Sequence, residues 1–176
     1  MVFIVDWESR IRDLLVKVSL SQLGYYPRDR LDVELTQFLR DTEEQLCRVL
    51  RRNGALCFRD YLVDYPEREA EMYCREDARN WRVLGTRGAE LIAELIELSI
   101  EIHRLEQKSL SEKIMLFDRV VHAEHYAGAF RDEYTPEEVS IFGVDIPRVK
   151  READRIVMQA IKTLTQKHRT HPIHNY

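Results

Sequence analysis

The chain has little of what breaks or staples a fold. Only six glycines and five prolines occur in 176 residues, and they stand mostly between segments of helical periodicity, where breakers belong in a helical protein. That scarcity excludes collagen-like and proline-rich disordered classes. The three cysteines, Cys47, Cys57 and Cys74, are odd in number and lack Cys-x-x-Cys spacing. They predict neither a disulfide framework nor a zinc knuckle, and they suit a reduced, cytoplasmic setting. No apolar run approaches the ~20 residues of a membrane span, and "MVFIVDWESR" lacks the basic region and long apolar core of a signal peptide. An excess of either charge is missing too. Acidic residues outnumber basic ones 31 to 27, for a formal net charge of -4. This disfavours nucleic acid and anionic membranes as partners.

What is present is helical patterning. Hydrophobic residues make up 44% and charged residues 33% of the chain, which suits one soluble domain able to bury a core without metal or disulfide support. Asp6 is placed to cap a helix carrying Trp7, Ile11, Leu14, Leu15 and Val18 on one face, ending at "LGYYP". Leu31, Leu35, Phe38, Leu39, Leu46, Val49 and Leu50 continue the pattern after Pro27 until Asn53-Gly54 stops it. "ALCFRDYLVDYP" fits a helical turn or a strand, and its helical neighbours favour the turn. Pro66 opens a helix that runs past Trp81 to Gly85, with glutamates in the first turn. Thr86 opens "TRGAELIAELIELSIEIHRLEQK", and Ser109 or Ser111 caps "SLSEKIMLFDRVVHAEHYAGAF", so the two form an antiparallel hairpin. After a connector, a last helix starts at Pro147 with Val149, Ala153, Ile156, Val157, Ala160, Ile161 and Leu164 in step. The expectation is a single all-α bundle of six or seven helices with this hairpin at its centre and a mobile tail over 168–176.

The hairpin carries the candidate chemistry. Glu90, Glu94, Glu97 and Glu101 share one narrow stripe of a helix that is otherwise almost wholly apolar, so that helix should sit centrally with its acids facing a cleft. On the next helix Asp118, His122 and His125 fall at i, i+4 and i+7 on one face. Antiparallel pairing sets Glu97 near Val120 and Glu94 near Ala123. Carboxylates and imidazoles facing one another across a bundle suit a divalent cation, Mg²⁺ or Mn²⁺. The competing reading makes both stripes ordinary solvated faces.

The segments "AELIELSIEI" and "EKIMLFDRVVH" resemble the all-α NTP pyrophosphatases, the MazG-like and phosphoribosyl-ATP pyrophosphatase group, in which E-x-x-E on one helix and E-x-x-D on the next hold magnesium. Glu94 and Glu97 match the first pair and Asp118 the final aspartate, while Asp118-x-x-x-His122 is similar to the aspartate-to-histidine spacing of the phosphoribosyl-ATP branch. Met115 departs from the pattern, standing where the second motif has a glutamate. The resemblance covers residues 90–128. It implies hydrolysis of a phosphoanhydride in a nucleotide or other phosphorylated small molecule. Glu94, Glu97 and Asp118 would hold the metal, His122 and His125 would act on water or phosphate, and Lys113 or Arg119 would compensate charge.

Other readings fit less of the sequence. A ferritin-like protein needs Glu-x-x-His pairs, which are absent. A HEPN-like ribonuclease needs Arg-x4-6-His, and Arg119 to His125 fits in spacing only. His168, His171 and His174 form a terminal tract interrupted by Pro172. The basic cluster Arg48, Arg51 and Arg52 complements a helix C-terminus. The strongest alternative from another class is a non-catalytic helical interaction protein, a homo-oligomer joined through a face such as Leu31 to Leu50 or Val149 to Leu164.

Overall fold

The computed structural model describes residues 6–122 and 144–170. Every described element is a helix: α1 Trp7–Gln22, α2 Arg28–Arg52, α3 Phe58–Asp64, α4 Glu67–Val83, α5 Arg87–His103, α6 Leu110–His122 and α7 Ile146–Thr170. A 3-10 turn, Leu105–Gln107, joins α5 to α6. The protein is thus an all-α bundle, with no strand among the described residues, and no described helix is long and apolar enough to cross a membrane.

Local chemistry sets the helix ends. Asp6 accepts the Ser9 N–H at 3.0 Å and the Ser9 hydroxyl at 2.6 Å, satisfying a donor that the first turn leaves open. These bonds hold the Asp6 carboxyl below its ordinary pKa. Thr86 accepts from the Ala89 N–H at 3.1 Å. Of the two candidate serines, Ser109 caps α6, accepting from the Glu112 N–H at 3.3 Å, and Ser111 lies within its first turn. Asn53-Gly54 ends α2 with Gly54 at φ +79°, a conformation that costs glycine little. The ambiguous stretch is helical from Phe58. α5 stops at His103, earlier than its pattern suggests. The 3-10 turn that follows tucks Leu105 into the core and leaves Arg104 to pair with Glu67 and Glu71 of α4 at 3.0 and 2.7 Å.

One connected core runs through all the helices' inner faces. Phe38 lies at its centre, edge-on to Trp7 of α1 at 5.4 Å and to Phe117 of α6 at 5.3 Å. α5 is the axial helix, with Leu91, Ile92, Ala93, Leu95, Ile96, Leu98, Ser99, Ile100 and Ile102 all buried. Its most extensive packing is against α4 and α2, and its packing on α6 is lighter. The tight antiparallel pair is therefore α4 with α5, where the sequence pointed to α5 with α6. Short connections joined both pairs, but the small Ala70, Cys74 and Ala78 of α4, all fully buried, let α4 approach more closely.

Ser99 is the polar exception inside this core. Its hydroxyl accepts the Phe58 N–H at 3.1 Å and donates to the Ile96 carbonyl at 2.7 Å, so it caps α3 from another helix. Ser99→Ala is expected to cost about 1–3 kcal/mol, because the buried Phe58 N–H loses its acceptor. Urea unfolding checks this, and a change under about 0.5 kcal/mol would mean that the N–H finds another partner.

Cys47 and Cys57 form a disulfide, with their Cα atoms 5.2 Å apart, which corrects the expectation of no disulfide. The pairing depends on the reversal at Asn53-Gly54, which folds Cys57 back beside the last turns of α2, and spacing alone does not reveal that. Arg51 adds a second tie across the same corner through bonds of 2.6 and 3.2 Å to Asp60. Its role is thus more specific than complementing a helix terminus. The odd cysteine, Cys74, is buried and free. Burial, with the Asp77 and Glu97 charges, pushes its thiol up to about 12, which keeps it unreactive.

α7 packs along α1. Arg12 bonds Glu152 at 2.7 Å and Glu8 pairs with Arg148, both partners 140 residues apart. That constant offset makes the two helices parallel.

Candidate functional site

The acid stripe lies where the sequence placed it, on the one non-apolar side of α5. Glu90 is exposed, whereas Glu94, Glu97 and Glu101 are half-buried. What faces them is arginine. Arg119 of α6 donates to Glu94 from Nε at 3.2 Å and from Nη2 at 2.8 Å, and it also bonds Glu101. Arg82 lies 3.7 Å from the other Glu94 oxygen. Arg75 bonds Glu97 and also Glu71 at 3.1 Å, and Lys108 is 3.9 Å from Glu101. Because Arg119 spans Glu94 and Glu101, the level of Glu97 falls beside Arg119 and Val120, the register expected of an antiparallel pair.

This network has a clear electrostatic logic. Half-buried carboxylates lose hydration, and guanidinium groups replace it with directional charge-assisted bonds. Burial works against the Arg119 charge, but the bonds and charges of Glu94 and Glu101 outweigh it and raise the Arg119 pKa. The stripe is therefore neither a plain solvated face nor an open carboxylate set. A small cleft of about 190 Å³ opens beside it, lined by Glu101, Lys108, Glu112, Met115, Leu116 and Arg119.

The second stripe stands apart from the first. Asp118 is exposed, and its carboxylate lies 3.4 Å from His122 Nδ1 on its own helix. That Nδ1 donates to the Asp118 carbonyl oxygen at 2.7 Å, leaving Nε2 to accept from the Lys150 ammonium of α7 at 3.2 Å. Both ring nitrogens are engaged. His125 lies outside the described residues, as do His171 and His174, while α7 runs on past His168 to Thr170. Among the described residues, no three His, Cys, Asp or Glu side chains group in a way that could hold a metal ion. Lys113, the other candidate cation, is buried and pairs with Asp32 of α2 at 2.9 Å. Met115, at the position where the resemblance wants a carboxylate, is exposed.

Arg75 and Arg82 were the site residues that sequence reasoning did not single out. A signal was available: Arg75, Arg79 and Arg82 recur at i, i+4 and i+7 on α4, a basic stripe preceding the acidic one on α5. Replacing Arg119 with methionine keeps the hydrophobic stem and removes the charge. Arg119→Met is expected to destabilise by about 1 kcal/mol at low salt and by less at high salt, because the pairs are partly exposed and screened. Denaturation at two ionic strengths reads this directly.

The remaining site feature is an apolar face. The Leu31 to Leu50 face of α2 is fully buried, so it is core. The α7 face is covered only in part. Val149, Ala153 and Val157 are buried, but Ala160, Ile161 and Leu164 are half-exposed and Ile156 is 45% exposed. With the offset of 140 to α1, Gln22 at the end of α1 lies level with Lys162, so the turns beyond have no α1 beside them. An open groove of about 670 Å³ runs along α7 from Arg155 to Leu164, mostly level with the last turns of α1, with Ile156, Gln159, Ala160 and Thr163 among its lining. No protein-family model, curated protein or solved structure matches the chain.

Proposed function

We propose that the protein is a non-catalytic helical interaction protein that docks a partner through the distal half of α7. The observation that carries this reading is the apolar strip of Ile156, Ala160, Ile161 and Leu164, which continues the row of buried Val149, Ala153 and Val157 but is itself left half-exposed or exposed. Burying such a strip is worth roughly 25 cal/mol per Å², and a bundle face left uncovered in this way is what association uses. The acid stripe supports the same reading, since its carboxylates are already compensated within the fold.

A homo-oligomer is the first form of this reading to test. Sedimentation velocity over a wide concentration range should show self-association that Ile156→Asp removes. A monomer at every concentration would restrict the reading to a different partner.

A second reading keeps Glu94, Glu97 and Asp118 as ligands of Mg²⁺ or Mn²⁺ and His122 and His125 as catalytic groups in hydrolysis of a nucleotide phosphoanhydride. The observation in its favour is that α6 does face the α5 stripe through Arg119, beside a cleft. A cation entering there has to displace Arg119 and Arg75 from the glutamates. Calorimetric titration of chelator-treated protein with each metal, together with pyrophosphate release from nucleoside triphosphates, tests it. Saturable binding and turnover lost in the Glu97→Ala, Asp118→Ala double variant would overturn the interaction reading.

A further inference from the structure

Asn53 and Gly54 end α2, and they are also the neighbours in this chain best suited to react with each other. Asparagine is a thermolabile residue, and glycine lacks the Cβ that would shield its nitrogen. A Cβ built on Gly54 would meet nothing within 4 Å, so the turn is open to reaction. Three hydrogen bonds hold it still. The Asn53 side-chain amide donates to the Val49 carbonyl at 2.8 Å. The Gly54 N–H donates to the Arg51 carbonyl at 3.2 Å and the Ala55 N–H to the Leu50 carbonyl at 2.9 Å. Closing a five-membered ring from the Gly54 nitrogen to Asn53 Cγ turns ψ of Asn53 well away from its 11°. That rotation breaks both backbone bonds and swings the chain that follows. Ala55 is buried and Cys57 is tied to Cys47, so the swing is blocked while the disulfide is closed.

We propose that Asn53 is a modification site, which deamidates once reduction of the Cys47 to Cys57 disulfide frees this corner. A dithiol reductant supplies two electrons and two protons to the disulfide and leaves as a disulfide itself. The Gly54 nitrogen then attacks Asn53 Cγ and a new C–N bond forms. The bond from Cγ to Nδ2 breaks, and ammonia leaves with the proton that Gly54 gave up. Water opens the resulting succinimide at either carbonyl, giving aspartate or isoaspartate. Either product loses the amide donor to Val49 and adds a negative charge at the C-terminal end of α2, where the macrodipole disfavours it. A reversible reduction is thereby recorded as a permanent change.

Mass spectrometry of tryptic residues 53–59, after incubation at mildly alkaline pH, reads the conversion of amide to acid. Three samples are compared: the oxidised protein, the Cys47→Ala, Cys57→Ser variant and a free peptide spanning residues 48–59. Serine suits position 57 because that residue is the N-cap of α3. Two backbone hydrogen bonds of ordinary strength predict that the oxidised protein reacts at least about tenfold more slowly than the peptide. The variant should react faster than the oxidised protein while its circular dichroism spectrum stays helical. Adding Asn53→Gln to it should abolish the mass gain, since the longer side chain closes its ring far more slowly. Hydrogen exchange of the wild type under reductant gives an independent reading. The Gly54 and Ala55 amides should exchange faster than in the oxidised protein, with those of Leu95 and Ile96 in α5 unchanged.

An oxidised protein that reacts as fast as the peptide overturns the proposal, as does a folded variant that reacts no faster than the oxidised protein. Exchange at Gly54 and Ala55 that ignores the reductant overturns it too. So does equal acceleration in α5, which would mean that reduction unfolds the whole bundle and not the corner alone.

Discussion

Phe38→Ala is expected to lower the unfolding free energy by about 3–5 kcal/mol, and the thermal midpoint by about 6–20 °C for a chain of this size. Phe38 is fully buried and sits where three helices meet, edge-on to Trp7 and Phe117. Removing the ring forfeits its burial, opens a cavity that α1 and α6 cannot both close, and deletes two aromatic contacts worth about 0.5–1.5 kcal/mol each. Phe38→Leu keeps most of the volume and should lose much less. Thermal melts followed by circular dichroism separate the two variants. A Phe38→Ala loss no larger than that of Phe38→Leu would show that the three-helix junction relaxes around the gap.

Loss of the Cys47 to Cys57 disulfide is expected to cost about 2–3 kcal/mol, the loop entropy that a crosslink of this separation removes from the unfolded chain. Cys47→Ser, Cys57→Ser and the wild type under reductant should agree, and guanidinium midpoints compare them. With the crosslink gone, the corner between α2 and α3 depends on Arg51 and Asp60. Burial alone would raise the Asp60 carboxyl. The Arg51 hydrogen bonds, the Cys57 N–H and the nearby arginine charges outweigh it and hold the pKa below the ordinary value. A carboxyl depressed on folding contributes stability above its unfolded pKa and loses it as pH falls through the folded one. The reduced protein should therefore weaken more steeply than the oxidised one below the ordinary carboxylate range. Parallel acid titrations of the two forms would contradict this coupling.

Much of the architecture was legible because helices announce themselves locally. The Asp6 and Thr86 caps, the Asn53-Gly54 stop and the near-continuous apolar surface of α5 follow from short-range stereochemistry and hydrophobic period. The candidate site was legible only in outline. Glu94, Glu97 and Glu101 do form one stripe, and α6 does lie against it at the expected level. Which charges answer that stripe depends on helix neighbours, and α4 supplies Arg75 and Arg82 from a pairing that connection length could not rank. The disulfide escaped for a similar reason, since a reversal of direction at one glycine decides whether two cysteines meet.

The sequence by itself determined that this chain is helical, where most of its helices begin, and which side of each is apolar, because these depend on residues within a turn or two of one another. The tertiary structure decided which apolar faces are consumed in folding and which remain. The face of α2 disappears into the core between α1, α5 and α6, while the same kind of face on α7 is only partly covered and stays half-exposed past Val157. Periodicity is a property of one helix, and exposure is a property of the helices beside it.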